Sequence, residues 1–305
     1  MKKSLQTCIV CGRGADKRTW NNLAVLVCRN CGLTWRESFD LSEDYYVKLN
    51  EGRANLDTQK VAIRLRNSED RFNTIRRFLP RAGICDIGCG DGSFLSILRD
   101  YGYLKCWGIE PSEYYHKMTI DRNLDVIKGE IDEILNISKR KEVHAITLFH
   151  VIEHLDDPIG SLEIMAESLR KGGILIIETP DKDASIQKAT DHKNELIYPE
   201  HLFYWNEKSL CRVLQEKGFK ILKISRRSFD WKHSPIKTSL MRLGMVKSLS
   251  KGNTSLDIKS QTDKDVVVIK DKGKNFFREL LRILLAYLVR ILGRDDYLLV
   301  VARRI

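Results

Sequence analysis

The feature that most constrains the fold is an alternation, from residue 83 onward, of short apolar runs with stretches of helical spacing. Seven such runs occur, at residues 83–87, 106–109, 125–127, 144–149, 173–178, 219–224 and 297–302. Strands that alternate with helices form βαβ units and a mainly parallel sheet. The sequence therefore predicts an α/β fold in which a ligand binds at the carboxyl ends of the strands.

A glycine-rich turn follows the first run, with the sequence Asp86-Ile87-Gly88-Cys89-Gly90-Asp91-Gly92. Glycines let the backbone turn tightly and approach a ligand without Cβ clashes. The second run ends at Glu110, where an acid can accept hydrogen bonds from both hydroxyls of a ribose. The glycine spacing differs from the dinucleotide fingerprint, which disfavours a nicotinamide-dependent dehydrogenase.

Two Cys-x-x-Cys pairs, each followed by glycine, precede this region. They are Cys8 with Cys11 and Cys28 with Cys31. Four thiolates at this spacing suit a tetrahedral Zn²⁺ ion, and a redox pair is the weaker alternative. Because a segment of about 40 residues buries little apolar area, a metal would supply much of its stability. We predict a closed, non-catalytic zinc site in a domain spanning residues 1–40.

Several motifs, taken in order, carry a family resemblance. They are the glycine-rich turn, Glu110, His-Val-Ile-Glu-His-Leu-Asp-Asp-Pro at 150–158, Leu-Arg-Lys-Gly-Gly at 169–173 and Pro-Glu-His-Leu-Phe-Tyr-Trp at 199–205. Together they resemble class I S-adenosylmethionine-dependent methyltransferases, closest to the branch of ubiquinone-type O-methyltransferases and sugar methyltransferases. The cysteine pairs resemble a rubredoxin-like zinc ribbon. The resemblance implies a Rossmann-like seven-stranded sheet with an antiparallel last strand, a small ribbon, and a helical insertion before that strand.

The resemblance also implies the residues that hold S-adenosylmethionine. Glycines of the turn would line its methionine and adenosine portions, and Glu110 would hold the ribose hydroxyls. Glu130 would face the adenine amine, although the family more often has aspartate there. The predicted cofactor-binding residues are Asp86, Gly88, Cys89, Gly90, Gly92, Glu110, Pro111, Glu130, Ile131, Phe149 and His150.

The predicted catalytic residues are His201, Glu200 and His154. Methyl transfer from a sulfonium requires alignment of donor and acceptor, and a hydroxyl acceptor also needs a base. His201 follows the fifth strand, where the acceptor is expected, and similar Glu-His pairs in sugar-methylating relatives face the substrate. The alternative for His201 is a structural histidine bonded to backbone at a helix entry.

A metal site is a second interpretation of the histidine-rich motif. His150, Glu153 and His154 would share one face if that turn were helical. Two imidazoles and a carboxylate suit a divalent metal, and some quinone-type relatives bind one with Glu-x-x-Glu-His, where His150 now replaces the first glutamate. The alternative is that Glu153 caps or braces the cofactor loop.

The remaining chain divides into four predicted parts: a helical lead-in over 41–82, the methyltransferase core over 83–228, a basic and amphipathic helical insertion over 229–296, and the final strand over 297–305.

The net charge is +11, and residues 212–251 carry 11 Lys and Arg against two acids. Such an excess favours an anionic neighbour. Residues 276–292 have a broad apolar face with an arginine edge, which predicts contact with a membrane surface. Packing on the core or on a second copy is the alternative.

The predicted function is O-methylation of a sugar or lipid-linked cell-envelope intermediate, with a small-molecule or lipid- or nucleotide-linked sugar as acceptor. Without a secretory signal or a run of 18 apolar residues, we expect a cytoplasmic location with contact to the cytoplasmic membrane face. The alternatives are a quinone-type O-methyltransferase, an RNA methyltransferase guided by the zinc ribbon, and a catalytically silent cofactor-binding scaffold. RNA is the less favoured partner, because the fourth strand is not followed by an Asn/Asp-Pro-Pro-Tyr/Phe motif.

Overall fold

The computed structural model describes residues 7–20, 22–38, 58–184, 187, 200–227 and 296–305. The first part is a small antiparallel sheet of strands β1 (Ala15–Trp20), β2 (Leu23–Cys28) and β3 (Thr34–Arg36). We refer to residues 7–38 as the ribbon. Hydrophobic side chains of β2 and β3, such as Val25 and Trp35, are fully buried, although the segment is too short to bury a large core of its own.

The centre of the molecule is a mixed sheet. In chain order its strands are β4 (Ile84–Ile87), β5 (Cys106–Glu110), β6 (Val126–Lys128), β7 (Val143–Phe149), β8 (Leu169–Pro180), β10 (Phe219–Arg227) and β11 (Tyr297–Arg304). Their order across the sheet is β10-β11-β8-β7-β4-β5-β6. β11 runs antiparallel to both of its neighbours, whereas β8, β7, β4, β5 and β6 pair in parallel. The predicted α/β fold with an antiparallel last strand is confirmed.

Helices connect and cover these strands. They are α1 (Thr58–Ile75), α2 (Ser93–Asp100), α3 (Glu113–Asp121), α4 (Glu133–Ser138), α5 (Pro158–Ser168) and α6 (Glu207–Glu216). Local sequence sets where several of them begin. The Ser112 side chain accepts from the backbone of Tyr115 at the start of α3, and Asn206 and Ser209 form a capping box at α6.

Strand β8 begins earlier than its apolar run predicts. It starts at Leu169, which pairs with Val143, and the next paired residues are Ile174 and Ala145. The extra residues form a bulge in which Gly172 has a φ of +77°. The other six predicted runs lie in strands whose ends differ from the prediction by a few residues.

One short strand was not predicted. Phe203 and Tyr204 form β9, which pairs antiparallel with β3 and so becomes the fourth strand of the ribbon sheet. Trp35 of the ribbon and Phe203 and Trp205 of the core are all buried in one hydrophobic cluster. The ribbon is therefore packed on the core through a shared sheet. The domain boundaries drawn from the sequence stay a prediction.

Two predictions fall on other parts of the chain. The lead-in contains α1 and a 3₁₀ turn at Arg76–Phe78, and its residues 41–57 lie outside the described residues. Residues 229–295 of the insertion, including 276–292, also lie outside them. Among the residues that the structure does describe, no helix is long and apolar enough to cross a bilayer.

Candidate active site

The glycine turn, residues 88–92, lies at the carboxyl end of β4 and is tied to the end of β5. The amides of Gly88 and Cys89 donate to the carbonyl of Ile109 over 2.8 and 3.2 Å. The amide of Gly90 donates to one carboxylate oxygen of Glu110 over 2.7 Å, and Ser112 N–H donates to the other over 2.9 Å. Glu110 is therefore held at the edge of the turn with its charge beside the backbone amides.

Three glycines of the turn have positive φ, but the space around them differs. A Cβ on Gly88 would lie 2.5 Å from Val151, and one on Gly92 would lie 2.3 Å from Leu124. At Gly90, with φ +57°, a Cβ would meet no protein atom within 4 Å. Gly88 and Gly92 are thus required by internal packing, whereas Gly90 borders an open cradle beside Glu110. Such a cradle suits a ligand that approaches the backbone closely.

The other predicted cofactor residues lie around this cradle at different depths. Asp86 is buried beneath the turn, where it accepts a hydrogen bond of 2.6 Å from Thr147, and burial raises its pKa to about 7. Phe149 is half-buried at the end of β7 and packs edge-on against Phe94, with the ring centroids 4.7 Å apart. Beyond the ends of β5 and β6, Pro111 and Glu130 are exposed and Ile131 is half-buried, whereas Cys89 is buried within the turn.

His150 forms a charged network just after β7. Its Nδ1 lies 3.4 Å from Glu153 and its Nε2 lies 3.2 Å from Glu178, two carboxylates that are almost fully buried. Burial opposes the charge on His150, but the hydrogen bonds to Glu153 and Glu178 outweigh it and raise its pKa. Burial likewise opposes ionisation of Glu153, yet His150 lowers the pKa of that carboxyl to about 2. The backbone of His150 has a φ of +60°, so this arrangement is held against local strain.

The structure differs from the expected helical face. Residues 152–154 form a turn, in which His154 N–H donates to the carbonyl of Val151 over 2.9 Å. His150 is therefore directed to Glu178, and it does not group with His154. Ligand atoms of Glu153, His154 and His201 instead lie within 4.8 Å of one another. In this group of possible metal ligands, His201 takes the position that the sequence analysis predicted for His150.

The two histidines of this group, His154 and His201, lie with their ring centroids 4.8 Å apart. Nδ1 of His154 lies 3.0 Å from the carbonyl oxygen of Glu200. Because a carbonyl only accepts, this nitrogen carries a proton and donates it to Glu200. His201 is 6% exposed, and burial lowers its pKa to about 4, so its ring is neutral at pH 7. The neutral His201 ring and the His154 ring therefore lie beside the ionised Glu153 carboxylate.

Comparison with known proteins decides the family. Residues 63–224, more than half of the chain, match the family described as Methyltransferase domain. The chain belongs to this methyltransferase family. Two solved structures with a TM-score of 0.51, both described as S-adenosylmethionine-dependent methyltransferases, share its fold. One, from Archaeoglobus fulgidus, is 18% identical and covers 85% of this chain and 100% of its own; the other, from Thermotoga maritima, is 16% identical and covers 84% and 96%.

Two curated relatives resemble parts of the methyltransferase. The mitochondrial ubiquinone biosynthesis O-methyltransferase of Dictyostelium discoideum is 21% identical over 185 residues, which are 51% of this chain and 58% of the relative. A tRNA U34 carboxymethyltransferase of Desulfotalea psychrophila is 29% identical over 121 residues, 37% of this chain and 38% of the relative. This chain therefore spans well under two thirds of the length of either relative.

Two arginines of the methyltransferase that the sequence reasoning missed come from α1. Arg64 donates to the hydroxyl of Tyr115 over 3.0 Å and lies 3.6 Å from Asp91 of the glycine turn. Arg71 donates to Glu178 over 2.7 Å, and its guanidinium lies 4.9 Å from the centroid of Phe149. The two are seven residues apart and so share one helix face. Their spacing was the signal in the sequence that could have identified them. However, α1 is rich in charged residues, and no local feature distinguishes these two arginines from the others.

The predicted metal ligands of the ribbon come together as a thiol cluster, Cys8, Cys11, Cys28 and Cys31. Its sulfurs lie within 4.8 Å of one another, with 3.5 Å between Cys8 and Cys31 and 3.4 Å between Cys11 and Cys28. A disulfide would require about 2.05 Å. Sulfurs at about 2.3 Å from a central Zn²⁺ ion in a tetrahedron would be about 3.8 Å apart. The cluster is therefore near-tetrahedral and of the right size for this ion.

The two halves of the thiol cluster have the same backbone geometry. Cys8 N–H donates to the carbonyl of Arg13, and Cys28 N–H donates to that of Leu33. Gly12 and Gly32 close the two turns by donating back to Cys8 and Cys28. Each of these glycines has a positive φ, +66° and +76°, which is why glycine follows each cysteine pair.

Proposed function

We propose that this methyltransferase transfers the methyl group of S-adenosylmethionine to a hydroxyl of a sugar or lipid-linked intermediate. The observation that carries the proposal is the pair formed by His154 and the neutral His201 at the carboxyl edge of the sheet. Val151, three residues before His154, packs against Gly88, so the turn that bears His154 adjoins the glycine turn. Cofactor and base would therefore lie side by side.

S-adenosylmethionine, when bound, supplies an electrophilic methyl group on a sulfonium. Gly90 and Glu110 would hold it at the open cradle, with the Glu110 carboxylate exchanging its bond to Gly90 for the ribose hydroxyls. Asp86 lies beneath the turn, and Arg71 of α1 adds positive charge near Phe149. The chain's own part in the reaction is to align the acceptor and to remove its proton.

The proton of the acceptor hydroxyl would pass to an imidazole of the pair. His201 is neutral and so able to accept, and the Nδ1–H bond from His154 to the Glu200 carbonyl orients the neighbouring His154 ring. The ionised Glu153 would stabilise the imidazolium that forms. A second candidate is a divalent metal held by Glu153, His154 and His201, which would polarise the hydroxyl instead.

The acceptor class is proposed from the topology of the insertion. Arg227, the last residue of β10, pairs with Tyr297, the first of β11, at the carboxyl edge of the sheet. The Tyr297 ring lies 4.5 Å from that of His150. Residues 228–296 therefore leave and re-enter the fold beside the proposed acceptor side, and they hold part of the basic excess and the amphipathic segment 276–292. Both favour a phosphate-bearing or lipid-linked acceptor at the cytoplasmic face of a membrane.

The resemblance to the ubiquinone O-methyltransferase keeps a quinone-type acceptor as the first alternative. The resemblance to the tRNA enzyme, with the ribbon, keeps RNA as the second. An assay that offers a polyprenyl-linked or nucleotide-linked sugar, a polyhydroxylated benzoquinol and bulk tRNA in parallel distinguishes the three acceptor classes. Radiolabel from the methyl group is followed into each acceptor.

We propose that the thiol cluster binds a structural Zn²⁺ ion. The support is its near-tetrahedral geometry and the hydrogen bonds that the Asn30 and Cys31 amides donate to the Cys28 sulfur. Such bonds stabilise a thiolate. In the metal-free cluster, the hydrogen bond from Cys8 lowers the pKa of Cys31 to about 5. Metal analysis of protein purified without chelator should find one zinc per chain; its absence would contradict the proposal.

The experiment for the base is His201→Gln, compared with His144→Gln at the opposite end of β7. We expect His201→Gln to lower kcat by about 10²–10⁴-fold, the usual effect of removing a general base. The affinity for S-adenosylmethionine should stay within about twofold. His144→Gln should keep full activity, because His144 pairs only with the exposed Glu142 among the described residues. Full activity of His201→Gln would end the base assignment. A second metal ion per chain, bound in addition to the zinc of the thiol cluster and lost in His201→Gln, would favour the metal.

A further inference from the structure

We call residues 200–206, which lie on the proposed acceptor side of the site, the acceptor segment. It contains Glu200, His201 and β9, and it is held on one side by the turn after β7. The amides of Leu202 and Phe203 both donate to the carbonyl of Glu153, over 2.8 and 3.1 Å. A strand of only two residues has too few backbone bonds to persist alone, and its buried polar groups need partners on both sides.

The ribbon supplies the other side. Phe203 pairs with Trp35 and Tyr204 with Thr34, and the amide of Arg36 donates to the carbonyl of Leu202 over 3.0 Å. The backbone of the acceptor segment is thus clamped between the turn that carries His154 and the third strand of the ribbon. His201 immediately precedes the residues that are clamped.

Side chains strengthen the same contact. Lys208, at the start of α6, donates to the carbonyl of Asn30 over 2.5 Å, within the second cysteine turn. A Cβ on Gly32 would lie 2.7 Å from the amide nitrogen of Asn206, so this turn is packed directly on the acceptor segment. The Trp20 ring meets the Tyr204 ring edge-on, with centroids 5.6 Å apart.

We infer that the ribbon is a positioning element of the active site, in which the loaded thiol cluster holds β3 and β3 holds the acceptor segment with His201. The inference rests on the proposed function for the meaning of that segment. Cys28 and Cys31 lie within six residues of β3, and the amide of Cys28 donates to the carbonyl of Leu33, the residue before β3. Without an ion the four sulfurs lose their common centre, and the ribbon is too small to retain its fold by apolar burial.

The cofactor side is expected to be independent of the ribbon. The glycine turn is anchored by Ile109 and Glu110, and its packing partners are Val151 and Leu124. Loss of the ribbon contact should therefore affect the acceptor side and leave binding of S-adenosylmethionine intact. This asymmetry separates a positioning role from a general role in stability.

The experiment is hydrogen exchange of the full chain, zinc-loaded and after removal of zinc by a chelator. We expect the amides of Leu202 and Phe203 to exchange at least tenfold faster without zinc. Those of Gly88, Cys89 and Gly90 should change less than twofold, as should the affinity for S-adenosylmethionine measured by calorimetry. Unchanged exchange at 202–203, or an equal increase at 88–90, would overturn the inference.

A variant that keeps the metal ligands gives an independent test. Arg36→Pro removes the amide that donates to Leu202, whereas the matched Glu37→Pro removes an amide that donates to Ala24 inside the ribbon. With full zinc content, Arg36→Pro should raise exchange at 202–203 at least fivefold and raise the acceptor KM or lower kcat. Glu37→Pro should leave exchange at 202–203 near the wild-type rate.

Lys208→Met provides a milder change if either proline variant fails to fold. We expect it to raise exchange at 202–203 about twofold or more, and Lys217→Met, which breaks a contact with Glu163 on α5, should not. If Arg36→Pro and Lys208→Met both retain zinc and both leave exchange at 202–203 unchanged, the ribbon does not hold the acceptor segment. Because exchange is read without any acceptor, the result does not depend on which molecule is methylated; failure of the methyl-transfer proposal would appear only in the activity assay.

Discussion

The three glycines of the turn show how neighbouring residues of one motif serve different needs. Gly88 and Gly92 are fixed by Val151 and Leu124, whereas Gly90 faces open space beside Glu110. A motif in the sequence records only that glycine is present at each position. Which glycine approaches a ligand depends on side chains 32 and 63 residues further along the chain, so the sequence alone could not separate them.

Gly90→Ala should weaken binding of S-adenosylmethionine at least tenfold, because the new methyl group would enter the cradle. Its φ of +57° should also cost about 1–2 kcal/mol of stability. Gly172→Ala is the matched control, since Gly172 has a φ of +77° and open space but lies at the bulge of β8. Calorimetry should show unchanged cofactor affinity for Gly172→Ala. Equal affinities of the two variants would contradict the assignment of the cradle.

The buried His201 should make stability depend on pH in a defined window. Its folded pKa of about 4 lies below the unfolded value of 6.5, so the unfolded state binds more protons between these values. Stability should therefore fall as the pH drops from 6.5 to about 4, by up to about 1.4 kcal/mol per pH unit. The groups facing His201 are Glu153, His154, Glu200 and His150.

Urea unfolding between pH 5 and 6.5 measures this slope, and His201→Gln should flatten it. His150 acts in a different window, because its raised pKa gives stability that is lost as the pH rises above 6.5. An unchanged slope in His201→Gln would show that the ring is not buried as a neutral group.

At the scale of elements, α1 lies across the site through ion pairs. Arg71→Met would leave Glu178 buried with fewer cationic partners, namely His150 and the more distant Arg227 at 3.6 Å. Breaking a buried pair from one side costs about 3–5 kcal/mol, so we expect a loss of about 3 kcal/mol in urea unfolding. The exposed Arg76→Met should change stability by less than about 0.5 kcal/mol. If Arg71→Met also lowered stability by less than about 0.5 kcal/mol, α1 would be held by its apolar face alone.

The elements also show what local sequence can and cannot predict. The strands of the main sheet were predictable because each contains a short apolar run, and α1 because the buried Phe72 and Ile75 recur at helical spacing. Strand β9 was not predictable, since its two residues gain strand structure only from β3, about 170 residues earlier. The grouping of His201 with Glu153 and His154 likewise depends on long-range bonds, which the amides of Leu202 and Phe203 donate to the carbonyl of Glu153.

For the whole molecule, the uneven charge predicts a salt-dependent interaction with anionic membranes. Residues 212–251 carry an excess of nine positive charges, and the chain has a net charge of +11. We expect the protein to co-sediment with vesicles that contain phosphatidylserine at about 50 mM salt, and to be released at about 500 mM, where screening is strong. Phosphatidylcholine vesicles are the control. Equal binding to both would assign the interaction to the apolar segment 276–292, and no binding would remove the membrane from the proposal.

Strand β9 also has a consequence for how the molecule is made. The ribbon leaves the ribosome before the core, and the fourth strand of its sheet is synthesised about 170 residues later. At 5–20 residues per second, its outer edge stays unpaired for roughly 8–35 seconds, during which four thiols are exposed to oxidation and β3 to foreign strands. A nascent chain that binds zinc early would pass this period with its ribbon already folded around the ion. Zinc supply during translation, more than the stability of the finished protein, would then set the yield of correctly assembled molecules.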